Sequence, residues 1–292
     1  MRILHLDAGR EMRGGQWQVY RLVAGLHREG VQCTLLARPE SPLLEMARRA
    51  GLPAEALGVR RAIRLGQAYD LVHAHDARSH TLGMLAGKPL VVSRRVAFPV
   101  RSHWKYARAR HYLAVSRFVR AVLLAGGVPE EKISVVYDGV PLLEPARGRA
   151  VLALANARDP LKGAPLAMEA ARLAGLTLHL TTDLERDLPD AGLFVYLTHS
   201  EGLGSAALLA MSAGVPVVAS DVGGLREVIR HRENGLLIEN SPSAIAAALR
   251  ELTENPELAR RFGQAARQTV HETFTVEIML RRTMEIYRQV LS

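Results

Sequence analysis

The segment Glu201-Gly202-Leu203-Gly204 lies between a strand-like run, Leu193 to Leu197, and a helix expected from Ser205 to Ala213. Glycines in such a turn let backbone N–H groups approach a ligand closely, and a helix N-terminus adds donors and positive potential suited to a diphosphate. Gly202, Leu203, Gly204 and Ser205 would supply the donors, while the Glu201 carboxylate beside them can accept hydrogen bonds from sugar hydroxyls. The combination suits a sugar nucleotide. Gly-x-Gly alone is common in doubly wound proteins and leaves function open, so the weight falls on Glu201, a loop carboxylate with no obvious structural duty. Lys162, next to Gly163, stands in a short loop before a helix that begins near Ala164, where a cation can reach a phosphate. His73 and His75 are two apart at a strand end and share a face, a spacing open to a metal pair and equally to core or capping work. Glu227, after Gly223-Gly224, reads as a helix-start charge.

These residues need a scaffold of alternating strands and helices, and the hydrophobic periodicity supplies one. Strand-like runs at Arg2–Leu6, Gln32–Ala37, Asp70–His73, Leu90–Ser93 and His111–Val115 are interleaved with helical patterns such as Gln16–Glu29 and Leu43–Ala50. After the polar stretch Glu144-Pro145-Ala146-Arg147-Gly148-Arg149 the rhythm restarts at Val151–Ala155, Leu166–Leu173, Leu176–Thr181, Leu193–Leu197, Ser205–Ala213 and Val215–Ala219. Strand, helix, strand in this order implies parallel βαβ units, hence an α/β protein. The reading is of two domains, 1–145 and 146–275, closed by a helix in 276–292 that carries Ile278, Met279, Ile286, Tyr287 and Val290 at helical spacing. The chain of 292 residues suits two such domains.

Hydrophobic residues at 48% and charged residues at 23% give a globular balance that argues against disorder. One cysteine, Cys33, excludes an intramolecular disulfide and a thiolate metal cluster, and a reducing compartment fits. With neither a secretory signal nor a membrane span in the sequence, the expected location is the cytoplasm, with peripheral association at the inner face of the membrane as the variant. The net charge of +9 is concentrated: from Ala77 to Pro129 there is no Asp or Glu, while Lys and Arg number ten. Arg94, Arg95, Arg101 and Lys105 in this stretch are interleaved with Phe98, Trp104, Tyr106 and Tyr112, a mix used at anionic membrane surfaces and on single-stranded nucleic acid.

The run from Glu-Gly-Leu-Gly at 201–204, through Ala-Met-Ser-Ala-Gly-Val-Pro-Val-Val-Ala-Ser at 210–220, to Gly-Gly-Leu-Arg-Glu-Val-Ile at 223–229 resembles the signature of family 4 glycosyltransferases in order and spacing. Met12-Arg13-Gly14-Gly15-Gln16 resembles that family's N-terminal glycine loop, Val72-His73-Ala74-His75-Asp76 its histidine-bearing strand end, and Lys162-Gly163 its phosphate-binding lysine motif. Leu113-Ala114-Val115-Ser116, Gly127-Val128-Pro129, Lys132-Ile133 and Asp138-Gly139-Val140 match the end of the first domain. The resemblance implies the GT-B fold, two Rossmann-like parallel-sheet domains facing a cleft, with the donor held mainly by the second. It implies a hexosyltransferase-type enzyme that moves a sugar from a nucleotide-sugar with retention, without metal and without a further cofactor. Under it Gly14 and Gly15 face the donor, His75 and Glu201 are the catalytic pair, and Lys162 with Arg158 neutralises the leaving diphosphate. The first domain would bind the acceptor, so its basic stretch suggests an anionic or lipid-linked one, a cell-envelope glycan or glycolipid, with nucleic acid the least favoured partner.

Three departures qualify this. Leu209 stands where the family places a second glutamate, eight positions after Glu201, that accepts the donor ribose hydroxyls. The arginine usual before the lysine motif is replaced by Asn156 or Ala157, with Arg158 close by. Between Lys162 and Glu201 a β-α unit of roughly 30 residues is missing. The alternative readings are a catalytically impaired nucleotide-sugar-binding or scaffold protein on the same fold, and an epimerase or phosphorylase of the same architecture.

Overall fold

The computed structural model describes residues 1–155 and 163–292 and divides into two compact units, Met1–Gly139 with Val276–Ser292, and Val140–Thr275. The division falls ahead of residue 145 because the chain after Gly139 is already tied to the second unit. The Val140 amide donates to the Phe274 carbonyl at 2.9 Å, and the Ala146 amide donates to Ala213 at 2.9 Å.

The first unit is built on seven parallel strands: β1 (Arg2–Asp7), β2 (Gln32–Ala37), β3 (Ala54–Ala56), β4 (Leu71–Ala74), β5 (Leu90–Arg94), β6 (His111–Ala114) and β7 (Ile133–Val135). Their order is β3-β2-β1-β4-β5-β6-β7. The chain leaves β1 in opposite directions across the sheet, so the β1/β4 boundary is the switch point at whose carboxyl ends doubly wound folds bind ligands. The helix Gly14–Arg28 follows β1 and buries Val19, Leu22, Val23 and Leu26 against Ile3, Leu35, Leu71, Val91 and Leu113 of the sheet. The closing helix Val276–Leu291 belongs to this same core, into which it sends Met279, Leu280, Met284, Tyr287 and Val290.

The second unit has five parallel strands in the order β12-β11-β10-β8-β9: β8 (Ala150–Leu154), β9 (Leu178–Thr181), β10 (Ala191–Tyr196), β11 (Val217–Ser220) and β12 (Leu236–Ile238). Leu193, Val195 and Leu197 point into a core with Val151, Ala167, Val218, Ile245, Leu249 and Phe262. Two helices not expected from hydrophobic periodicity, Pro242–Glu254 and Pro256–Thr273, flank this sheet, each opened by proline after a capping side chain, Ser241 and Asn255. Among the described residues no helix is long and apolar enough to cross a membrane.

Candidate functional site

In the first unit the register of the sheet gathers the titratable groups. His5 pairs with His73 across β1 and β4, and His75, two residues beyond His73, falls on the same face. The rings of His73 and His75 lie 4.0 Å apart by centroid, and His5 stacks on His75 at 5.3 Å. Arg95 Nη1 lies 3.4 Å from His75 Nδ1, and His75 Nε2 lies 3.0 Å from His5 Nδ1. Arginine can only donate, so His75 Nδ1 accepts, its Nε2–H donates to His5, and His5 carries its proton on Nε2. That buried nitrogen has no hydrogen-bond partner among the described residues. His73 joins Tyr287 of the closing helix at 2.5 Å through Nδ1 and Ser93 at 2.8 Å through Nε2.

Burial sets the charge state of this cluster. It lowers His5 to about 3, and it holds His73 and His75 well below the ordinary imidazole value, with their neighbouring imidazoles and Arg95 adding to the shift. All three are neutral at physiological pH. They form the one group of three among the described residues whose ligand atoms, within 4.8 Å of one another, could geometrically hold a metal ion. The guanidinium already against His75 opposes a further cation there.

Arg95 is expected on an anionic surface, but the structure turns it inward. Its Nε donates to Asp138 at 3.0 Å, and these side chains are only 14% and 7% exposed. A methyl on Gly15 would touch the Arg95 side chain at 3.8 Å, so the glycine pair at the start of the helix Gly14–Arg28 lies beside His75, Arg95 and Asp138. Across the switch point, Asp7 ends β1 and is fully buried, its carboxyl raised by burial and then by Asp76. Asp76 caps the helix Ala77–Gly83 and accepts from the Ala8 amide at 2.6 Å. His5, Asp7 and Asp138 carry no sequence-stretch signal of their own, since what recruits them is strand pairing and a 43-residue separation in sequence.

Of the other basic residues expected at a surface, Arg101 is exposed, whereas Arg94 stacks on Tyr106 and donates to the Phe98 carbonyl. Lys105 donates to the Ala77 carbonyl at 2.5 Å, and partial burial lowers its ammonium pKa. Trp104 and Phe98 stand 59% and 56% exposed, with Arg108 over the Trp104 ring.

In the second unit, β10 delivers the chain to Glu201. The base of the loop is fixed by polar bonds: the Thr198 amide donates to Ser220 at 2.9 Å, and Asn240 Nδ2 donates to the Thr198 carbonyl at 3.0 Å. Gly204, at φ +109°, sits just before the helix Ser205–Ser212 in a conformation that side chains disfavour. Gly224 donates its amide to the Glu201 carbonyl at 3.1 Å, and a methyl there would lie 2.0 Å from the Gly202 carbonyl oxygen. The Gly223-Gly224 turn thus supports the Glu201 loop. One carboxylate oxygen of Glu201 accepts from the Gly202 amide at 3.0 Å and the other from the Tyr196 hydroxyl. Gly202, Leu203, Gly204 and Ser205 are therefore brought together with Glu201 as expected, with Leu203 buried. Leu209 is 8% exposed within that helix. Arg158 and Lys162 lie outside the described residues.

Comparison with known proteins covers both units. The family described as Glycosyltransferase Family 4 matches residues 12–143, and that described as Glycosyl transferases group 1 matches residues 162–269. The chain is 36% identical over 100 residues to N-acetyl-alpha-D-glucosaminyl L-malate synthase of Bacillus anthracis, covering 34% of this chain and 26% of the relative. It is 36% identical over 117 residues to alpha-maltose-1-phosphate synthase of Mycolicibacterium smegmatis, covering 38% and 30%. The matched stretches thus span less than a third of these relatives' lengths. In fold, the chain is similar to Anabaena HepE in complex with UDP and glucose, with a TM-score of 0.89 at 17% identity over 99% of both chains. Sucrose-phosphate synthase from Thermosynechococcus elongatus gives 0.78 at 18% identity, again over 99% of both. Two parallel sheets with flanking helices, matched this way, are the GT-B architecture.

Proposed function

Since the chain belongs to the family 4, group 1 glycosyltransferases, we propose that it transfers a sugar from a nucleotide-sugar donor to an acceptor. The observation that carries this is the Glu201 loop: an ordered carboxylate, braced by the Gly224 turn, beside a glycine-opened helix N-terminus. The amides of Gly202 to Ser205 suit a diphosphate, and the carboxylate suits sugar hydroxyls. That HepE structures hold UDP and UDP-glucose supports a nucleotide-sugar as the partner.

Retention and independence from metal are part of the proposal, with leaving-group charge met by Lys162, Arg158 and the helix N-terminus. In the first unit, Gly14, Gly15 and the Asp138-held Arg95 offer donors to an anionic ligand, and His75 is the imidazole of that site. Both of its ring nitrogens are engaged by Arg95 and His5, so direct contact with an acceptor requires one of those bonds to open. Exposed Trp104, Phe98, Arg101 and Arg108 support a lipid-linked or phosphorylated glycan acceptor presented at an anionic membrane surface.

A second reading, donor binding without transfer, is favoured by Leu209, which cannot accept ribose hydroxyls. Release of nucleoside diphosphate from UDP-, ADP- and GDP-sugars, with and without candidate acceptors, separates the two. Acceptor-dependent release supports transfer. Binding with no release in any combination supports the second reading, and absence of binding contradicts both.

A further inference from the structure

The side chain that touches Glu201 most directly belongs to Tyr196, the last residue of β10. Because Leu193, Val195 and Leu197 point into the core of the second unit, Phe194 and Tyr196 lie on the opposite face of the strand. Their rings stack, with centroids 6.0 Å apart and planes 20° from parallel. Tyr196 is only 6% exposed, and its ring edge lies 3.7 Å from where a methyl on Gly204 would stand. One side chain therefore meets both ends of the loop, the ring at Gly204 and the hydroxyl at the Glu201 carboxylate.

We propose that Tyr196 is a positioning residue that holds the Glu201 carboxylate fixed and ionised, so that the loop accepts hydrogen bonds from sugar hydroxyls and rejects groups that only accept. This rests on the donor-site reading of the Glu201 loop. The argument is one of lone pairs. Each carboxylate oxygen takes one protein donor, the Tyr196 hydroxyl on one side and the Gly202 amide on the other. Two donors aimed at one carboxyl favour the form without a proton. The lone pairs left over can only accept, so a matching ligand must present O–H groups. A sugar bearing a carboxylate at that contact would set like charges together in a half-buried place, which is repulsive. The buried phenol also removes rotamer freedom from Glu201 before the ligand arrives, which lowers the cost of ordering it on binding.

The test compares affinities for a nucleotide-glucose and for its nucleoside diphosphate, using whichever of the UDP, ADP or GDP pairs binds the wild-type protein most tightly. Tyr196→Phe keeps the ring against Phe194 and Gly204 and removes only the hydroxyl. It should weaken nucleotide-glucose binding by about tenfold, leave nucleoside diphosphate binding and the melting temperature unchanged, and add no further loss in a Glu201→Gln background. An equal loss for both ligands, or an undiminished loss in the Glu201→Gln background, would show that the ring's packing matters rather than its hydroxyl, and would overturn the proposal. So would full nucleotide-glucose affinity in Tyr196→Phe when Glu201→Ala loses it. If Glu201→Ala itself keeps the wild-type preference for nucleotide-glucose, or no pair binds at all, the donor-site reading fails and this inference falls with it.

Discussion

At the scale of single residues, the second unit's loop depends on what glycine leaves empty. Gly224→Ala would push a methyl to 2.0 Å from the Gly202 carbonyl oxygen, and backbone on both sides must move. The expected cost is about 1–3 kcal/mol, measured by urea unfolding, together with loss of donor binding; unchanged stability and binding would mean that the two turns do not brace each other. Leu209 poses the opposite problem. As the family's missing glutamate it invites Leu209→Glu as a repair that tightens the donor. Its side chain is 8% exposed in the helix Ser205–Ser212, so a carboxylate there meets desolvation first. Leu209→Glu should lose about 2–3 kcal/mol of stability without a gain in donor affinity. Tighter donor binding at unchanged stability would contradict this. Glu201 was legible in the sequence from its loop and glycines, but Tyr196 was not, because an aromatic residue in a strand reads as packing until its hydroxyl is seen to reach the loop.

At the scale of elements, the pairing of β1 with β4 makes an acid-sensitive core. His5, His73 and His75 are buried and neutral when folded, with pKa values lowered from 6.5, to about 3 for His5. Once unfolded, each takes up a proton below about pH 6.5, so the unfolded state binds more protons there and stability falls as pH falls. Above that value the effect is absent. Each histidine contributes a slope of up to about 1.4 kcal/mol per pH unit below the unfolded value. Urea unfolding between pH 7.5 and 4.5 should show the decline, and His5→Gln should make it shallower; a flat profile would contradict the buried, neutral assignment. The two histidines on β4 were legible as sharing a face, whereas His5 joins them only because β4 returns beside β1. Long strands stood out by periodicity, but the three-residue strands β3, β7 and β12 are too short to show one. The two helices opened by Ser241-Pro242 and Asn255-Pro256 carry capping signals that the periodicity reading did not use.

At the scale of the whole molecule, the +9 charge is less of a surface property than its position in the sequence implies. Arg95 is spent on Asp138 and His75, and Lys105 on a backbone carbonyl, which leaves Arg101 and Arg108 with Trp104 as the exposed set. Co-sedimentation with anionic vesicles should weaken about tenfold in Arg101→Gln/Arg108→Gln and should fall with added salt; salt-insensitive association would remove the membrane reading. The two-domain α/β plan was legible because β-α alternation survives in composition. The exact split at Gly139/Val140 was not, since it is set by Val140 bonding to Phe274, far along the chain. The central claim is that the Glu201 loop binds the sugar that is transferred. It is tested most directly by the kcat/KM of sugar transfer for Glu201→Ala, with unfolding measured alongside. The account predicts a fall on the order of a hundredfold or more with stability retained, and a well-folded Glu201→Ala protein that transfers sugar at the wild-type rate would contradict it.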